Sequence, residues 1–343
     1  MKLQFDANQG YQRDAINAVV DLFDGQPRSA PEFAVIRGAA GPGFLAGTEQ
    51  SILGAGNTLL LPPKRLLVNT RAVQARNEIE VPDPAAPLEA WAIPDPPAGR
   101  ERSCPHFSVE METGTGKTYV YLRTIYELAL KYGLRKFVIV VPSVAIREGV
   151  LKNLEVTAEH FRALYDNTPC EHFVYDARRV NRLRQFATST TIQILVINID
   201  AFRKNFSGTE DERKSNVIYK DSDRLSGRQP IEFIQAARPV VIIDEPQSVD
   251  STERAQEAIS ALNPLCTLRY SATHRNPYNL VYRLDPVRAF RLELVKQITV
   301  ASAHGDGGAN AAFVRLESAD YKKGLKAKVR SMPLERVARG RRW

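Results

Sequence analysis

The chain has 343 residues, 43% of them hydrophobic and 25% charged, and carries a formal net charge of +8. This composition is ordinary for a soluble globular protein with one large domain or two smaller ones. Its three cysteines are widely spaced, which argues against a zinc site or a disulfide framework and fits a cytoplasmic protein. The longest apolar runs, 137–141 and 240–243, are too short to cross a bilayer, so we expect no membrane partner.

The positive charge is concentrated at the end of the sequence. Residues 322–343 contain nine basic residues and one acidic residue, so residues 1–321 are net neutral. We interpret the basic end as a solvated tail. Any nucleic-acid contact made by the body of the chain must therefore come from local placement of charge.

The first predicted elements precede any recognisable motif. A turn at 6–10 leads into an amphipathic helix over 11–23, and Gln12 at its start could read an adenine edge or could be an ordinary surface residue. Residues 25–105 then hold twelve of the 21 prolines. We predict an insertion of loops and short strands there, with 58–61 and 65–68 as edge strands or a hairpin and 85–103 as its most mobile part.

A short strand at 107–111 leads into Met-Glu-Thr-Gly-Thr-Gly-Lys-Thr over 111–118, and a helix then runs to Tyr132. Glycines in such a loop let backbone N–H groups approach phosphate oxygens, and the helix that follows adds its positive end. Lys117 can reach the β- and γ-phosphates and Thr118 can bind Mg²⁺. Because Met111 stands where the general P-loop pattern has its first glycine, the match is to a shorter form. The alternative is a Gly-rich turn before an ordinary helix.

Further strands are predicted at 137–141, 192–199, 239–243 and 268–272, separated by helical patterns such as 144–154 and by a polar surface loop over 205–230. This alternation predicts an α/β fold with a doubly wound parallel sheet. In such sheets the ligand lies outside the carboxyl ends of the strands.

Two polar groups follow strands at that edge. Asp244 can hold Mg²⁺ and Glu245 can orient or deprotonate an attacking water, although an acid pair at a strand end is also a common turn. Ser271 and Thr273 follow the next strand and could hydrogen-bond the acid pair and sense the γ-phosphate. The P-loop and the acid pair together favour an ATPase.

Together these motifs resemble helicase superfamily 2. They appear in the family's order: Tyr11-Gln12, 113–118, Val141-Pro142-Ser143, Asp244-Glu245-Pro246-Gln247 and Ser271-Ala272-Thr273. The sequence Asp-Glu-Pro-Gln, together with residues 5–26 and 276–297, is similar to the restriction (Res) subunit of type III restriction-modification enzymes, and the resemblance extends over residues 1–328.

The resemblance implies a RecA-like P-loop NTPase domain that uses ATP and Mg²⁺ to move along double-stranded DNA. It also implies a modification (methyltransferase) subunit as partner and endonucleolytic cleavage by the full complex. The implied nucleotide-binding residues are Gln12, Thr113, Gly114, Thr115, Gly116, Lys117 and Thr118. The implied catalytic residues are Lys117, Asp244 and Glu245, with Thr118 and Asp244 as Mg²⁺ ligands. Coupling to motion is implied for Gln247, Ser271 and Thr273, and contact with the DNA backbone for Ser143.

Family members also have a second RecA-like domain and a C-terminal nuclease domain, which we do not expect in this sequence. We predict an adenine-motif helix (1–24), the insertion (25–105), the ATP-binding domain (106–300) and a C-terminal segment with the basic tail (301–343). Our hypothesis is a truncated Res subunit whose last residues are frame-shifted. A DEAD-like RNA helicase domain and a non-catalytic nucleotide- or DNA-binding remnant remain as alternatives.

Overall fold

The computed structural model describes residues 5–28, 32–36, 52–95, 100–203, 216–296, 314–320 and 326–331. The chain divides into two compact units, Met1–Lys296 and Gln297–Trp343. Within the described residues, no helix is long and apolar enough to span a membrane.

The first unit is built on an eight-stranded sheet. In chain order its strands are β3 (Ala90–Asp95), β4 (Arg100–Met111), β5 (Lys136–Val141), β6 (Cys170–Val174), β7 (Ile192–Asn198), β8 (Val240–Asp244), β9 (Cys266–Ser271) and β10 (Leu280–Leu284), preceded by a separate antiparallel pair, β1 (Glu32–Ile36) and β2 (Ile52–Gly56). The order across the sheet is β10-β4-β9-β8-β5-β7-β6, with every neighbour parallel, and β3 adds to β4 in the antiparallel sense.

Ten helices connect and cover these strands in the described residues. They are α1 (Gly10–Val20), α2 (Pro63–Arg76), α3 (Lys117–Tyr132), α4 (Val144–Leu164), α5 (Arg182–Thr188), α6 (Asp200–Arg203), α7 (Pro230–Ala237), α8 (Pro246–Val249), α9 (Glu253–Ser260) and α10 (Pro286–Arg291). Successive side chains of a strand point to opposite faces. On β5, Phe137 and Ile139 accordingly pack with α1 to α4, whereas Val138 and Val140 pack with α5 to α9. The predicted doubly wound parallel α/β fold is confirmed.

Within the predicted insertion, the prediction of a strand at 65–68 is wrong, because these residues lie inside α2. Pro63 occupies the first turn of α2, where a missing N–H is harmless. The buried face of α2 combines Leu66 and Val73 with Asn69 and other polar residues. Asn69 is satisfied by the carbonyls of Leu22 and Asp24, at 2.9 and 2.8 Å. Because amide side chains occupy core-facing positions of α2, the spacing of its apolar residues alone does not reveal the helical period.

The prediction of a strand at 58–61 is also wrong. The Gln26 side chain makes the backbone hydrogen bonds that a neighbouring strand would make. Its Oε1 accepts from the backbone N–H groups of Leu60 and Leu61, and its Nε2 donates to the carbonyl of Thr58. Residues 90–95 and 100–105 form the β3–β4 pair. The mobility of 85–103 stays a prediction.

A single buried amide links this part of the chain to the start of β5. Asn57 is 3% exposed, and its Oδ1 accepts from the backbone N–H groups of Arg135 and Lys136 at 2.7 and 3.1 Å. Its Nδ2 donates to the carbonyls of Lys136 and Arg238. Residues 25–105 are thus tied to the sheet by polar side chains as well as by apolar packing.

Other differences concern length and burial. Helix α4 continues to Leu164, ten residues past the predicted end, and β6 and β10 were not predicted. Part of the predicted polar loop over 205–230 packs into the core, because Ile218, Tyr219 and Leu225 are buried. Residues 204–215 lie outside the described part of the chain.

The described part of the second unit is an antiparallel strand pair, β11 (Val314–Asp320) and β12 (Lys326–Ser331). The prediction of a solvated basic tail over 322–343 is wrong for Lys326–Ser331, which form β12; residues 322–325 and 332–343 lie outside the described residues.

Candidate active site

The candidate site lies at the edge where the parallel strands end, which we call the carboxyl edge. The P-loop follows β4, the acid pair ends β8, and Ser271 ends β9. In the sheet, β9 lies between β4 and β8. At a strand spacing of about 4.8 Å, the ends of β4 and β8 are therefore about 10 Å apart, within reach of a lysine and a carboxylate side chain.

The P-loop has the backbone that phosphate binding requires. Gly114 and Gly116 adopt φ values of 83° and 90°, a region that favours glycine, and Gly116 is the N-cap of α3. Thr115 closes the turn by donating from its hydroxyl to the Glu112 carbonyl at 2.7 Å. No side chain of the described residues caps α3, so the N–H groups at its positive end remain available to an anion.

Lys117 and Glu245 meet across this edge. The Lys117 Nζ lies 3.0 Å from the Glu245 Oε1, with the two side chains 13% and 27% exposed. The other oxygen of Glu245 accepts from the Gln247 Nε2 at 2.6 Å and from the Ser271 hydroxyl at 3.0 Å. Burial by itself would raise the pKa of the Glu245 carboxyl. The hydrogen bonds from Lys117, Gln247 and Ser271 and the Lys117 charge outweigh burial and lower that pKa.

Asp244 is more deeply buried, at 6% exposed, and has fewer partners. Its carboxylate accepts from the Tyr121 hydroxyl at 3.3 Å. Burial and the adjacent Glu245 charge raise the pKa of Asp244 to about 6, against an opposing effect of Lys117. A buried carboxylate with one long hydrogen bond is suited to a cation, which would stabilise its ionised form.

The predicted second Mg²⁺ ligand is connected to the same tyrosine. The side chain of Thr118 acts on the Tyr121 hydroxyl and partly offsets the rise in its pKa that burial and Asp244 cause. Carboxylate and hydroxyl oxygens are the ligands that Mg²⁺ prefers, so this donor set fits the ion. Sequence reasoning missed Tyr121. Its only signal was its place one helical turn after Lys117, on the side of α3 that faces the sheet.

Of the residues predicted to couple hydrolysis to motion, Gln247 and Ser271 contact Glu245 directly, and Thr273 is linked to it through Ser271. The Ser271 hydroxyl lies 2.9 Å from the Gln247 Oε1 and 3.0 Å from the Glu245 Oε2. Thr273 joins through its backbone, with its N–H donating to the Ser271 Oγ at 3.2 Å. Its own hydroxyl makes no hydrogen bond within the described part of the chain.

Gln12 lies against the P-loop, although 103 residues separate it from Thr115 in the sequence. Its Nε2 donates to the Thr115 carbonyl at 3.2 Å, and a Cβ added to Gly116 would approach the same Nε2 to 2.7 Å. A cleft of about 490 Å³ opens beside this contact, lined by Phe5, Asp6, Gln9, Tyr11, Gln12, Thr113, Gly114, Gly116, Lys117, Thr118, Tyr119 and Asn153. Its volume suits a small ligand such as a nucleotide.

Ser143 lies apart from this group. It follows β5 at the carboxyl edge and is the N-cap of α4, where its Oγ accepts from the Ile146 N–H at 3.3 Å. The structure gives it a local structural role, and its predicted contact with DNA stays a prediction.

Comparison with known proteins gives one family. A family model described as "Type III restriction enzyme, res subunit" matches residues 8–276. The Res subunit of the type III restriction-modification enzyme EcoP15I from Escherichia coli is 34% identical over 209 residues, which cover 55% of this chain and 21% of that protein. The StyLTI Res subunit from Salmonella typhimurium is 38% identical over 186 residues, covering 49% of this chain and 18% of that protein.

The chain thus spans about a fifth of the length of these curated relatives. The crystal structure of the UvsW helicase from Bacteriophage T4 is also similar, at 12% identity and a TM-score of 0.32 over 50% of this chain and 48% of that one, a score too low to carry an argument. The family model, by contrast, matches most of the chain, in agreement with the resemblance predicted from the motifs. The chain belongs to the family of type III restriction enzyme res subunits.

Proposed function

We propose that this chain is an ATP-binding and ATP-hydrolysing motor domain of helicase superfamily 2, centred on residues 106–300. The observation that carries the proposal is the 3.0 Å approach of the Lys117 Nζ to the Glu245 Oε1. It brings a phosphate-binding lysine next to a candidate catalytic acid, although the two come from β4 and β8 turns that are far apart in sequence. A turn or a strand-end acid pair that served folding alone would not need this convergence.

Each side chain then has a role in phosphoryl transfer. The Lys117 ammonium and the N–H groups of the P-loop hold the phosphates of ATP, and Gln12 contacts the adenine. Thr118 and Asp244 hold Mg²⁺, which when bound neutralises charge on the β- and γ-phosphates. Glu245 orients the attacking water and accepts its proton, and its lowered pKa keeps it ionised as a base at neutral pH.

The Lys117–Glu245 ion pair gives the reaction an order. While the pair is closed, the lysine is not free for a phosphate and one oxygen of the carboxylate is not free for water. Phosphate binding draws Lys117 away, and Glu245 keeps its hydrogen bonds from Gln247 and Ser271. Ser271 and its partner Thr273 then sense whether the γ-phosphate is present, which couples hydrolysis to movement.

The proposed partners are double-stranded DNA and a modification (methyltransferase) subunit, and the proposed location is the cytoplasm. The partners follow from the names of the relatives, which are Res subunits of type III restriction-modification enzymes. The location follows from the widely spaced cysteines. Cleavage of DNA is proposed for the full complex. DNA translocation is the motion that ATP hydrolysis would drive.

Titration with a fluorescent ATP analogue, followed by phosphate-release assays with and without duplex DNA, tests the proposal. We expect Mg²⁺-dependent binding and DNA-stimulated turnover, both lost in Lys117→Ala. Lys131→Ala is the matched control, because Lys131 lies in the last turn of the same helix and pairs with Asp21 on the surface.

The outcomes separate the alternatives. Nucleotide binding without turnover in the presence of DNA would favour a non-catalytic binding module. Stimulation by RNA and not by DNA would favour an RNA helicase domain. Equal effects of the two lysine substitutions would overturn the nucleotide site.

A further inference from the structure

The turn that follows β6 carries a dense group of arginines that the proposed ATP site does not use. Within residues 175–184 there are four arginines and one acidic residue, Asp176. We call Arg178, Arg179, Arg182 and Arg184 the arginine patch; all four are exposed. Because residues 1–321 are net neutral, this concentration of positive charge is a local feature of the fold and not part of the bulk charge.

The charges of the arginine patch are hardly neutralised within the described residues. Arg178 and Arg182 have no side-chain partner there, and the Arg184 guanidinium donates to a neutral oxygen, the Ser226 hydroxyl, at 3.0 Å. Arg179 lies 4.0 Å from Asp176, with the two side chains 68% and 45% exposed. An exposed ion pair of this length contributes little, so the patch presents close to its full charge to solvent.

The backbone under the patch is fixed. Val180 and Leu183 are buried at 4% and 1% exposed, and they anchor the turn in the core. Arg224 donates from its guanidinium to the Arg178 carbonyl at 2.9 Å, which joins the turn to residues 222–228. A solvated charge run on a flexible end would lack such anchors, so the arginines are held at defined positions.

These arginines do not serve the helix on which two of them lie. Arg182 and Arg184 occupy the first turn of α5, where the helix dipole disfavours positive charge. Glutamate or aspartate would stabilise this turn. The positive charge therefore does not stabilise α5, and the binding of an anionic partner would account for it.

Position determines what kind of anion fits. Strand β6 is parallel to the rest of the sheet and ends at the same carboxyl edge as the P-loop strand. It lies three strands from β8, which corresponds to about 14 Å. A ligand that engages the patch therefore does not fill the ATP site. An extended polyanion can lie on this edge while ATP is bound, and guanidinium groups match phosphate oxygens in a bidentate manner.

We propose that the arginine patch binds the phosphate backbone of duplex DNA without regard to sequence. The inference rests on the proposed function, since it assumes that the chain works on DNA. It assigns the electrostatic part of that interaction to the outer end of the carboxyl edge, after β6, and leaves the nucleotide site independent of it.

Fluorescence anisotropy of a labelled 30-base-pair duplex of arbitrary sequence, measured at several salt concentrations, tests the assignment. The variant is R178Q/R179Q/R182Q/R184Q, and the double variant R178Q/R179Q leaves α5 untouched. The matched control, K64Q/R65Q/R76Q/K131Q, removes the same charge from α2 and the end of α3, on the other face of the sheet. Nucleotide binding is measured on every protein as a check on folding.

We expect the quadruple patch variant to bind the duplex about 10² to 10³-fold more weakly at 0.1 M salt and the slope of log K against log salt to fall by about 3 to 4. The double variant should lower the slope by about half as much as the quadruple variant, and the control should resemble wild type. Duplex affinity unchanged in the patch variants would overturn the assignment while leaving the ATP site intact, as would a wild-type chain that binds nucleotide but not DNA. Equal, patch-dependent binding of poly-glutamate would point to an acidic protein partner and also overturn it.

Discussion

The inner and outer halves of the carboxyl edge differ in how far their charges are neutralised by partners. In the inner half, after β4, β8 and β9, Lys117 is neutralised by Glu245, and Glu245 is held by two further hydrogen bonds. In the outer half, after β5, β7 and β6, the described residues give the arginine patch one acidic partner, Asp176, which lies 4.0 Å from Arg179. The charges of the inner half are paired with one another, whereas those of the arginine patch are mostly unpaired within the described residues.

Because of this difference, the inner half should select its ligand by structure, whereas the outer half should attract anions in general. A ligand of the inner half must compensate for the loss of an ion pair that is about four-fifths shielded from water, which favours a group with several anionic oxygens. A ligand of the outer half displaces only counterions, so its affinity depends on salt and not on exact shape. The following predictions test the two halves, beginning with the largest expected effect.

Glu245→Gln should impair the catalytic step that we propose for the inner half. We expect turnover to fall by about 10²- to 10⁴-fold, because an amide cannot take the proton of the attacking water. Nucleotide affinity should be unchanged or higher, because Lys117 no longer has an anionic partner to leave. Phosphate release and analogue titration measure the two effects separately. Glu155→Gln, on the exposed side of α4, is the control. A parallel loss of binding would contradict the assignment of Glu245 as base.

Asp244→Asn should remove an electrostatic penalty from the inner half. The pKa of Asp244 is about 6 in the folded chain and about 3.8 ordinarily, so between these pH values the folded state holds a proton that the unfolded state has lost. Wild-type unfolding free energy therefore falls by about 2 to 3 kcal/mol from this group as pH rises from 4 to 8. Without Mg²⁺ or nucleotide, the variant should be more stable by that amount at pH 8 and by under about 1 kcal/mol at pH 4.

Urea denaturation at the two pH values measures this difference. The same variant should lose Mg²⁺-dependent nucleotide binding, which in wild type should strengthen between pH 5 and pH 7 as Asp244 ionises. A variant less stable than wild type at pH 8 would mean that the carboxylate has better partners than the Tyr121 hydroxyl.

Substitutions of Ser143, at the border of the outer half, test whether this residue contacts DNA or only caps α4. Ser143→Ala should destabilise the chain by about 1 kcal/mol, because it removes the N-cap of α4. Ser143→Asp should restore the cap. If Ser143 also touches the DNA backbone, Ser143→Asp should weaken duplex binding through repulsion despite normal stability. Thermal unfolding and anisotropy distinguish these roles, and an aspartate variant with wild-type DNA affinity would leave Ser143 as a cap alone.

The sheet, and the grouping of the candidate site residues at one edge of it, could be predicted from the sequence because their signals are local. Continuous apolar runs such as 137–141 predicted buried parallel strands, and the motifs at 113–118 and 244–245 predicted residues at one edge. Tyr121 was not predictable, because its role depends on which carboxylate the fold brings to its hydroxyl. Helix α2 was missed because amides such as Asn69 occupy its core face, where a period count expects apolar residues. The arginine patch was not predicted, and only the topology places it at the same edge as the P-loop.

The amide of Asn57 bears on how the chain can be dissected. If the Pro-rich stretch were excised, the N–H groups of Arg135 and Lys136 would lose their acceptor at the point where a core strand starts. A shortened protein built by joining the first helix directly to the phosphate-binding strand would therefore carry orphaned donors inside its sheet. The segment around Asn57 is therefore part of the structure that supports the sheet and cannot be removed without loss of stability.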